Sequence, residues 1–172
     1  MGGKNPVKMD ALQNMYEGMG FDRVKTYIQS GNVVFNTPDI EPEKLHLKIA
    51  QQIEKEFGFV VPVIVLAVDS LQQIIDNNPF LKDPYKDHSF LHVTFLSSKP
   101  DECDIEAIDE KKQTDEEIVI ADQVVYLYCP NGYGRTKLNN TFLETKLRVE
   151  ATTRNRQTTN ELLKIALSNM VI

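Results

Sequence analysis

The sequence is poor in the residues that build cross-links and metal sites: it has two cysteines, three histidines and no tryptophan. Cys103 and Cys129 lack the paired CxxC spacing of zinc ligands and are too few for a disulfide framework, so we expect two reduced thiols. His88 and His92 stand four residues apart, but no third ligand follows at a suggestive spacing. The sequence therefore predicts neither a bound metal nor a cofactor.

Long apolar runs are also missing from the sequence. No stretch comes near the roughly 20 apolar residues that a transmembrane helix needs, and the N-terminal sequence MGGKNPVKMD lacks the apolar core of a signal peptide. With 172 residues, 41% of them hydrophobic, the chain can build one core of ordinary size or two small ones. We therefore expect a globular protein that does not associate with membranes and lies in the cytoplasm.

Charge is distributed unevenly along the chain, whose net charge is -6. Positions 130–172 carry seven basic and three acidic residues, a local net charge of +4, whereas the remaining positions carry 12 basic and 22 acidic ones. Nine acidic residues fall between Asp101 and Glu117. Such an acidic surface argues against nonspecific binding of duplex nucleic acid, while the basic C-terminal part leaves room for a local anion site.

Periodic patterns divide the first half of the chain into helices and strands. Apolar residues at three- and four-residue steps predict an amphipathic helix, and Gly20 ends it. A hairpin is predicted next, with its strands joined through residues 29–32 and Gly31 supplying the positive φ that hairpin turns prefer. A helix from about Pro42 to Phe57, ended by Gly58, follows. The predicted ranges are 9–19 for the first helix, 24–28 and 33–35 for the hairpin strands, 42–57 for the second helix, 60–68 for a third strand and 70–76 for a short helix.

The second half of the chain repeats this order with one more strand at its start. The predicted ranges are 89–96 (strand), 101–109 (acidic helix), 117–121 and 124–129 (hairpin), 138–147 (helix), 149–152 (strand) and 155–169 (helix). Strand, helix, strand, strand, helix, strand is the order of a ferredoxin-like α/β plait. The sequence therefore predicts an α+β fold of two ferredoxin-like halves, 1–76 and 89–172, joined by a linker at 77–88. The first half lacks its opening strand, and a C-terminal helix closes the second.

Three segments of the chain form a recognisable set: GGKNPVKMDALQNMYEGMGFDRVKTYIQSGNVVF, YGRTKLNN and ATTRN. In these segments and in their order, the chain resembles the bacterial proteins of the domain of unknown function 1697 family. The resemblance extends over nearly the whole chain and implies a pair of α/β-plait halves. It implies no activity, because the family name assigns none.

Two departures from the family pattern affect these expectations. Family members usually have a strand ending in an Arg-Gly-Ile-Asn-like segment before the Gly-Gly-Lys-Asn stretch, whereas Met1 precedes Gly2 here. Without that central strand, each buried backbone group left unpaired costs about 1 to 3 kcal/mol, so we expect a displaced start or another segment or subunit in its place. Arg156 stands where the family commonly has tryptophan, which removes an aromatic surface for a ligand.

Polar and basic side chains are concentrated in three loops. The turn at 29–32 gathers amides and a hydroxyl beside glycine, residues 132–137 bring two cations to a helix N-terminus, and residues 152–155 add a guanidinium. If these loops meet across the two halves, they would hold a small anionic or nucleotide-like ligand. The candidate ligand-binding residues, including two near the N-terminus, are Lys4, Asn5, Gln29, Ser30, Asn32, Arg135, Lys137, Asn139, Thr153, Arg154 and Asn155.

Each of these loops also has an ordinary explanation. Turns select serine, glycine and asparagine, glycines punctuate loops, and threonine or asparagine caps helices. The phosphate-binding GxxxxGK[ST], dinucleotide GxGxxG and nucleophile GxSxG patterns are missing, and no histidine is placed by sequence to activate Ser30. Tyr126, Tyr128 and Tyr133 could offer a stacking platform for nucleobases, although no ribonucleoprotein signature accompanies them.

Three functions are compatible with these residues. A binding module for a small anionic or nucleotide-like ligand accounts best for the polar loops. An enzyme acting on a phosphorylated or nucleic-acid substrate would use Arg135 and Arg154 as electrostatic stabilisers, with no base nominated. An interaction protein would use the acidic helix at 101–109 against a basic partner. The sequence leaves the ligand, the oligomeric state and the choice among these three open.

Overall fold

The structure, a computed structural model, describes residues 7–38 and 41–170. Its contacts divide the chain into two compact units. Unit 1 comprises residues 1–72 and 161–172, and unit 2 comprises residues 73–160. The last helix therefore begins in unit 2 and ends in unit 1. The predicted boundaries at 76 and 89 stay a prediction.

Two amphipathic helices supply most of the core of unit 1. The helix α1 (Met9–Gly18) and the helix α2 (Pro42–Phe57) each bury one apolar face. Their buried side chains are Leu12, Met15 and Tyr16 from α1 and Leu45, Ile49 and Ile53 from α2. As predicted, α2 starts with proline in its first turn and ends at Gly58, whose φ of 81° is strained for any other residue type.

The strands β1 (Asp22–Tyr27) and β2 (Asn32–Asn36) form an antiparallel two-stranded sheet in unit 1. Tyr27 pairs with Asn32, so residues 28–31 connect the strands and the connection predicted at 29–32 is shifted by one residue. Gly31 has a φ of 77°, so the glycine supplies a positive φ as predicted. The shift places Asn32 in a strand, where it is buried.

Hydrogen bonds fix the end of α6 (Arg156–Met170) to this hairpin within unit 1. Arg23 Nη1 and Asn36 Nδ2 donate to the carbonyl oxygen of Asn169 at 2.8 and 3.1 Å. Asn169 Nδ2 donates in return to the carbonyl of Arg23 at 2.9 Å. The guanidinium thus meets the negative end of the helix dipole, which stabilises the helix terminus.

Unit 2 contains a complete four-stranded antiparallel sheet. Its elements are β3 (Leu91–Leu96), α4 (Ile105–Lys111), β4 (Glu117–Ala121), β5 (Val124–Tyr128), α5 (Asn140–Leu147) and β6 (Ala151–Asn155). The sheet order is β4-β5-β3-β6, so the first strand of the unit lies between the third and the last. This is the ferredoxin-like arrangement, and it confirms the predicted α+β fold.

Both faces of the unit 2 sheet are covered. On one face, side chains of the strands pack against those of α4, α5 and the loop before α5. Together they form a buried cluster of Leu96, Ile108, Val125, Leu127, Cys129, Leu138, Leu143, Leu147 and Ala151. On the opposite face Val93 and Tyr126 are each 3% exposed. The Tyr126 hydroxyl donates at 2.8 Å to the carbonyl of Ile74 in the helix α3 (Val68–Asp76). Neither face therefore offers an open sheet surface at these strands.

Unit 1 has no strand equivalent to β3 among its described residues. The predicted strand at 60–68 is also wrong, since residues 60–67 belong to no sheet. The equivalent strand of unit 2, β6, pairs only with β3, so a unit without a β3 equivalent offers this segment no partner. Phe59, Val61, Val63 and Val65 still alternate inward in a strand-like way, but they are only partly buried.

Two elements of unit 2 begin later than predicted. The strand β3 starts two residues late because residues 88–90 form a single 3-10 turn, capped by Asp87. His88 therefore lies outside the strand and does not share a strand face with His92. The helix α4 starts late because Asp104 caps it, accepting a hydrogen bond from the backbone of its third residue at 3.1 Å.

No helix in the described part of the chain is long and apolar enough to cross a membrane. Both cysteines are free thiols, as predicted, with Cys103 exposed and Cys129 buried. In the same residue ranges, no three side chains of the metal-ligating types form a group that could hold a metal ion.

We predict that the two units differ in the packing of equivalent strand positions. Val125→Ala removes a fully buried side chain from unit 2 and should lower the free energy of unfolding by about 2 to 3 kcal/mol, the sum of lost transfer energy and a cavity. Val33→Ala, the matched change in unit 1, removes a partly buried one and should cost about 1 kcal/mol. Urea unfolding of both variants measures the difference, and equal losses would contradict it.

Candidate functional site

The loop from β5 to α5 carries two exposed cations, Arg135 and Lys137. It turns at Gly132, whose φ is 94°, and continues as the 3-10 turn Tyr133–Arg135. Because a φ of this sign suits glycine far better than other residues, the course of the loop depends on Gly132. The sequence correctly predicted a glycine-dependent loop that leads into a helix.

Tyr133 anchors this loop to the sheet of unit 2. Its ring stacks on that of His92 in β3, with ring centroids 4.7 Å apart and an interplanar angle of 20°. Burial raises the pKa of its phenol, and the side chain of Thr153 in β6 opposes this effect in part. The two cations thus follow, by two and four residues, a neutral aromatic side chain that is held against two strands.

Thr153 is the centre of a small hydrogen-bond network. Its hydroxyl donates to Asn140 Oδ1 at 2.6 Å, and its oxygen lies 2.7 Å from the hydroxyl oxygen of Thr94. A hydroxyl has one hydrogen and two lone pairs, so Thr94 is left to donate to Thr153. This single side chain therefore ties together β3, β6 and the start of α5.

The first turn of α5 presents backbone N–H groups beside the loop. Asn139 Oδ1 accepts from the backbone N–H of Phe142 at 3.0 Å and caps the helix. Within residues 7–38 and 41–170, the backbone N–H groups of Asn140 and Thr141 have no acceptor. Unpaired amides at a helix start, with the positive end of the helix dipole, favour an anion.

Arg135 and Lys137 have no carboxylate partner in the described part of the chain. Six ion pairs within 4.0 Å occur there, and neither residue belongs to one. Arg148, which follows the last residue of α5, does have such a partner, because it lies 3.7 Å from Glu102. The charge of these two residues is therefore free to meet an external anion.

Arg154 does not join this group, although it follows Thr153 directly. Cross-strand pairs place Thr153 opposite Thr94 and Arg154 opposite Val93, so the two side chains lie on opposite faces of the sheet. Arg154 Nη1 donates to Thr152 Oγ1 and to the carbonyl oxygen of Thr153, both at 2.9 Å. Residues 152–155 were predicted to act as one binding segment. Because side chains alternate along a strand, Thr153 and Arg154 instead lie on different faces of the sheet.

His92 is the half-buried histidine of the site. Burial lowers the pKa of its imidazole, and a hydrogen bond to the carbonyl of Phe90 opposes this effect only in part. Its Nδ1 lies 3.3 Å from that carbonyl oxygen. Since a carbonyl only accepts, Nδ1 carries the hydrogen and Nε2 carries the lone pair of the neutral ring.

Polar groups also lie beneath the loop, at its junction with β5. Cys129 is fully buried, and burial together with the neighbouring Glu116 carboxylate raises the pKa of its thiol to about 12. Glu116 is 4% exposed, and its Oε1 accepts from the backbone N–H of Gln113 at 2.7 Å. Thr136 hydrogen-bonds to the thiol from the loop side. These contacts hold the loop from below and leave Cys129 inert as a nucleophile.

The polar turn of unit 1 is largely occupied with its own structure. Gln29 Nε2 donates to the carbonyl of Val7 at 2.9 Å, and Asn32 Nδ2 donates to the carbonyl of Tyr27 at 3.1 Å. A longer contact of 3.4 Å joins Asn32 to Ser30 Oγ. These bonds explain the turn without a ligand. A ligand role for Gln29, Ser30 and Asn32 stays a prediction.

The other sequence-predicted site residues fall into two groups. Asn155 Oδ1 accepts from the backbone N–H of Thr158 at 2.8 Å, so it caps the start of α6. Lys4 and Asn5 lie outside the described residues. The aromatic platform is not available as proposed, because Tyr126 is buried with its hydroxyl bonded internally and one face of Tyr133 lies against His92.

Residues 1–126 match a family described as "Protein of unknown function (DUF1697)". The chain belongs to this family. Among solved structures, the conserved bacterial protein SP0830 from Streptococcus pneumoniae is similar, with a TM-score of 0.69 and 20% sequence identity over 96% of this chain and 92% of that one. This likeness shows the fold alone. No curated protein matches the chain.

Sequence reasoning found the cationic loop of this DUF1697 member but missed the residues that fix it. Thr94 and His92 were not among the candidates, because only cross-strand pairing places them beside Thr153. Asn139 and Asn140 are adjacent, and nothing in one sequence shows that Asn139 caps the helix whereas Asn140 bonds to β6. The alternating pattern of β3, with polar residues at 92 and 94 between apolar ones, was the available signal.

We predict that the hydroxyl of Thr153 stabilises unit 2. Thr153→Val keeps the shape of the side chain but leaves Asn140 and Thr94 short of a hydrogen-bond partner. It should lower the free energy of unfolding by about 1 to 3 kcal/mol. Thr153→Ser keeps the hydroxyl and should cost less, as urea unfolding would show. Equal losses in the two variants would argue that packing, and not the network, matters at this position.

We also predict that the two thiols differ sharply in reactivity. At pH 8 a thiol with a pKa of about 12 is ionised in about one molecule in ten thousand, so Cys129 should react with iodoacetamide only after unfolding. Cys103 is exposed and should react in the folded protein, at a rate limited by its own raised pKa. Mass spectrometry of labelled peptides with and without urea distinguishes them. Equal labelling of folded protein would contradict the buried position.

Proposed function

We propose that unit 2 is a binding module for a small anionic ligand carrying a phosphoryl group, of which a nucleotide is one example. The observation that carries the proposal is the pair Arg135 and Lys137, exposed and without a carboxylate partner in the described ranges, beside the unpaired first amides of α5. The proposal narrows the sequence-based hypothesis, because it needs only residues of unit 2.

Three kinds of hydrogen-bond donor near the start of α5 suit a phosphoryl group: a guanidinium, an ammonium and backbone N–H groups. A guanidinium offers a planar fork that matches two phosphate oxygens, and an ammonium adds a compact charge. Free N–H groups in the first turn of a helix add directed hydrogen bonds and the positive end of the dipole. Tyr133 and Thr153 support the proposal indirectly, because they hold the loop against α5 before any ligand arrives.

Two measurements distinguish a binding module from the two alternatives, an enzyme and an interaction protein. An enzyme would consume a phosphorylated compound, which phosphorus NMR detects during the binding experiment itself. An interaction module of the acidic helix would retain a basic partner after the loop cations are removed and lose it after acid-to-amide changes at 104–110. A cytoplasmic location, where phosphorylated ligands are abundant, stays a prediction.

We predict that inorganic phosphate and AMP shift the backbone amide signals of residues 133–142 in an NMR titration. Arg135→Gln and Lys137→Gln should each weaken binding about tenfold, the usual loss when one charged hydrogen bond is removed. Arg148→Gln is the matched control, because it removes one charge from the opposite end of α5. Its affinity should stay within about twofold of the original.

Two results would contradict this proposal. One is the absence of any shift at residues 133–142 with phosphate or AMP at millimolar concentration. The other is an equal loss of affinity in Arg135→Gln and Arg148→Gln, which would reduce the effect to the overall charge of unit 2.

A further inference from the structure

The His92 imidazole lies against the loop that carries the proposed ligand contacts. Its ring stacks at 4.7 Å on Tyr133, the first residue of the 3-10 turn that ends at Arg135. Such a turn rises about 2 Å per residue, so the backbone of Arg135 is roughly 4 Å further along the turn. An anion held by Arg135 and Lys137 would therefore lie within the Coulomb range of this ring.

One nitrogen of His92 is available to gain a proton. Nδ1 faces the carbonyl oxygen of Phe90 at 3.3 Å and carries the hydrogen of the neutral ring. Nε2 is therefore the atom that binds a second proton. Protonation at Nε2 leaves the Nδ1 contact intact, so the ring can change charge without leaving its place on Tyr133.

The surroundings of His92 contain no carboxylate among the described contacts. Tyr133 faces the ring from the loop, and Leu127 and Asn155 are its partners in β5 and β6. Burial raises the pKa of Tyr133 and that of Cys129, so both stay neutral between pH 5 and 8. The Glu116 carboxylate lies against the Cys129 thiol, and no carboxylate is among the groups that shift the pKa of His92. No acid in contact with the ring therefore compensates its charge, and an incoming anion would act on it.

We propose that binding of a dianionic phosphoryl or sulfuryl group in unit 2 is coupled to uptake of one proton by His92 Nε2. This inference rests on the proposed function, because it needs the anion beside Arg135 and Lys137. Burial favours the neutral ring in the free protein, and the bound dianion favours the imidazolium. The proton comes from solvent and no covalent bond of the ligand changes. The affinity therefore rises as the pH falls through the range in which histidine titrates, about 8 to 5.

Proton-coupled binding would give the site a preference that the two cations alone do not provide. A dianion stabilises the imidazolium about twice as strongly as a monoanion at the same place, because the Coulomb energy is proportional to charge. Sulfate is therefore favoured over chloride or carboxylates from pH 5 to 8, and phosphate monoesters are favoured above their own second pKa near 6. The ligand class becomes one of compact, doubly charged groups.

An NMR pH titration of the three histidines, with and without sulfate, tests the proposal on the unmodified protein. Sulfate is the probe because it keeps both charges from pH 5 to 8, whereas a phosphate monoester itself titrates near pH 6. Because a bound dianion favours the imidazolium, the midpoint of His92 should rise by about 0.5 pH unit or more. His46 and His88 serve as internal controls and should move by less than about 0.2 unit, with chloride at equal ionic strength as the reference.

Two variants and the possible outcomes complete the test. Arg135→Gln combined with Lys137→Gln should abolish the sulfate-induced shift of His92, and His92→Gln should abolish the dependence of the sulfate affinity on pH. Sulfate that shifts the amide signals of α5 but not the midpoint of His92 would overturn the coupling and leave the proposed function standing. Sulfate that shifts neither would overturn both.

Discussion

The double pairing of β3 is the constraint on which unit 2 depends. This strand forms ladders with β5 on one side and β6 on the other, and its residues lie in the buried centre of the sheet. The same strand carries His92 and Thr94, so the polar network of the candidate site is attached to the most protected element of the unit. Unit 1 shows the reverse case, since its described residues include no central strand and its strand-like segment at 59–67 stays half-exposed without a ladder.

The candidate site follows from the two-residue period of these strands. On one face, positions 92, 94 and 153 bring an imidazole and two hydroxyls together under the loop from β5 to α5. On the other face, Arg154 makes its bonds to its own strand. Because a change of one residue in register would exchange these faces, the position of the cationic loop depends on the same register that buries the core.

The fold could be predicted from the sequence better than the site. Apolar periodicity and glycine stops located the six α-helices of residues 7–38 and 41–170 within a few residues, and turn residues located the two hairpins there. The strand predicted at 60–68 does not form for a non-local reason. The alternation of apolar residues is a property of the segment alone, whereas a β-ladder also needs a second strand to pair with it. The site shows the same limit: Gly132, Arg135 and Lys137 are visible in a local pattern, whereas the link from Thr153 to Asn140 exists only after β6 has paired with β3.

An anion site in an acidic protein requires that the acidic groups be neutralised locally or lie far away. The acidic stretch at 101–117 meets the first condition in part, because some of its carboxylates pair with cations: Arg148 with Glu102, Lys86 with Glu117 and Lys112 with Asp109. At physiological ionic strength the screening length is about 8 Å, so unpaired acids beyond that distance act weakly on the loop. Arg135 and Lys137 belong to none of the ion pairs of the described residues, so their charge is not neutralised within the protein in this way. A net charge of -6 for the whole chain is thus compatible with a positive site, because a small ligand responds to the nearest charges.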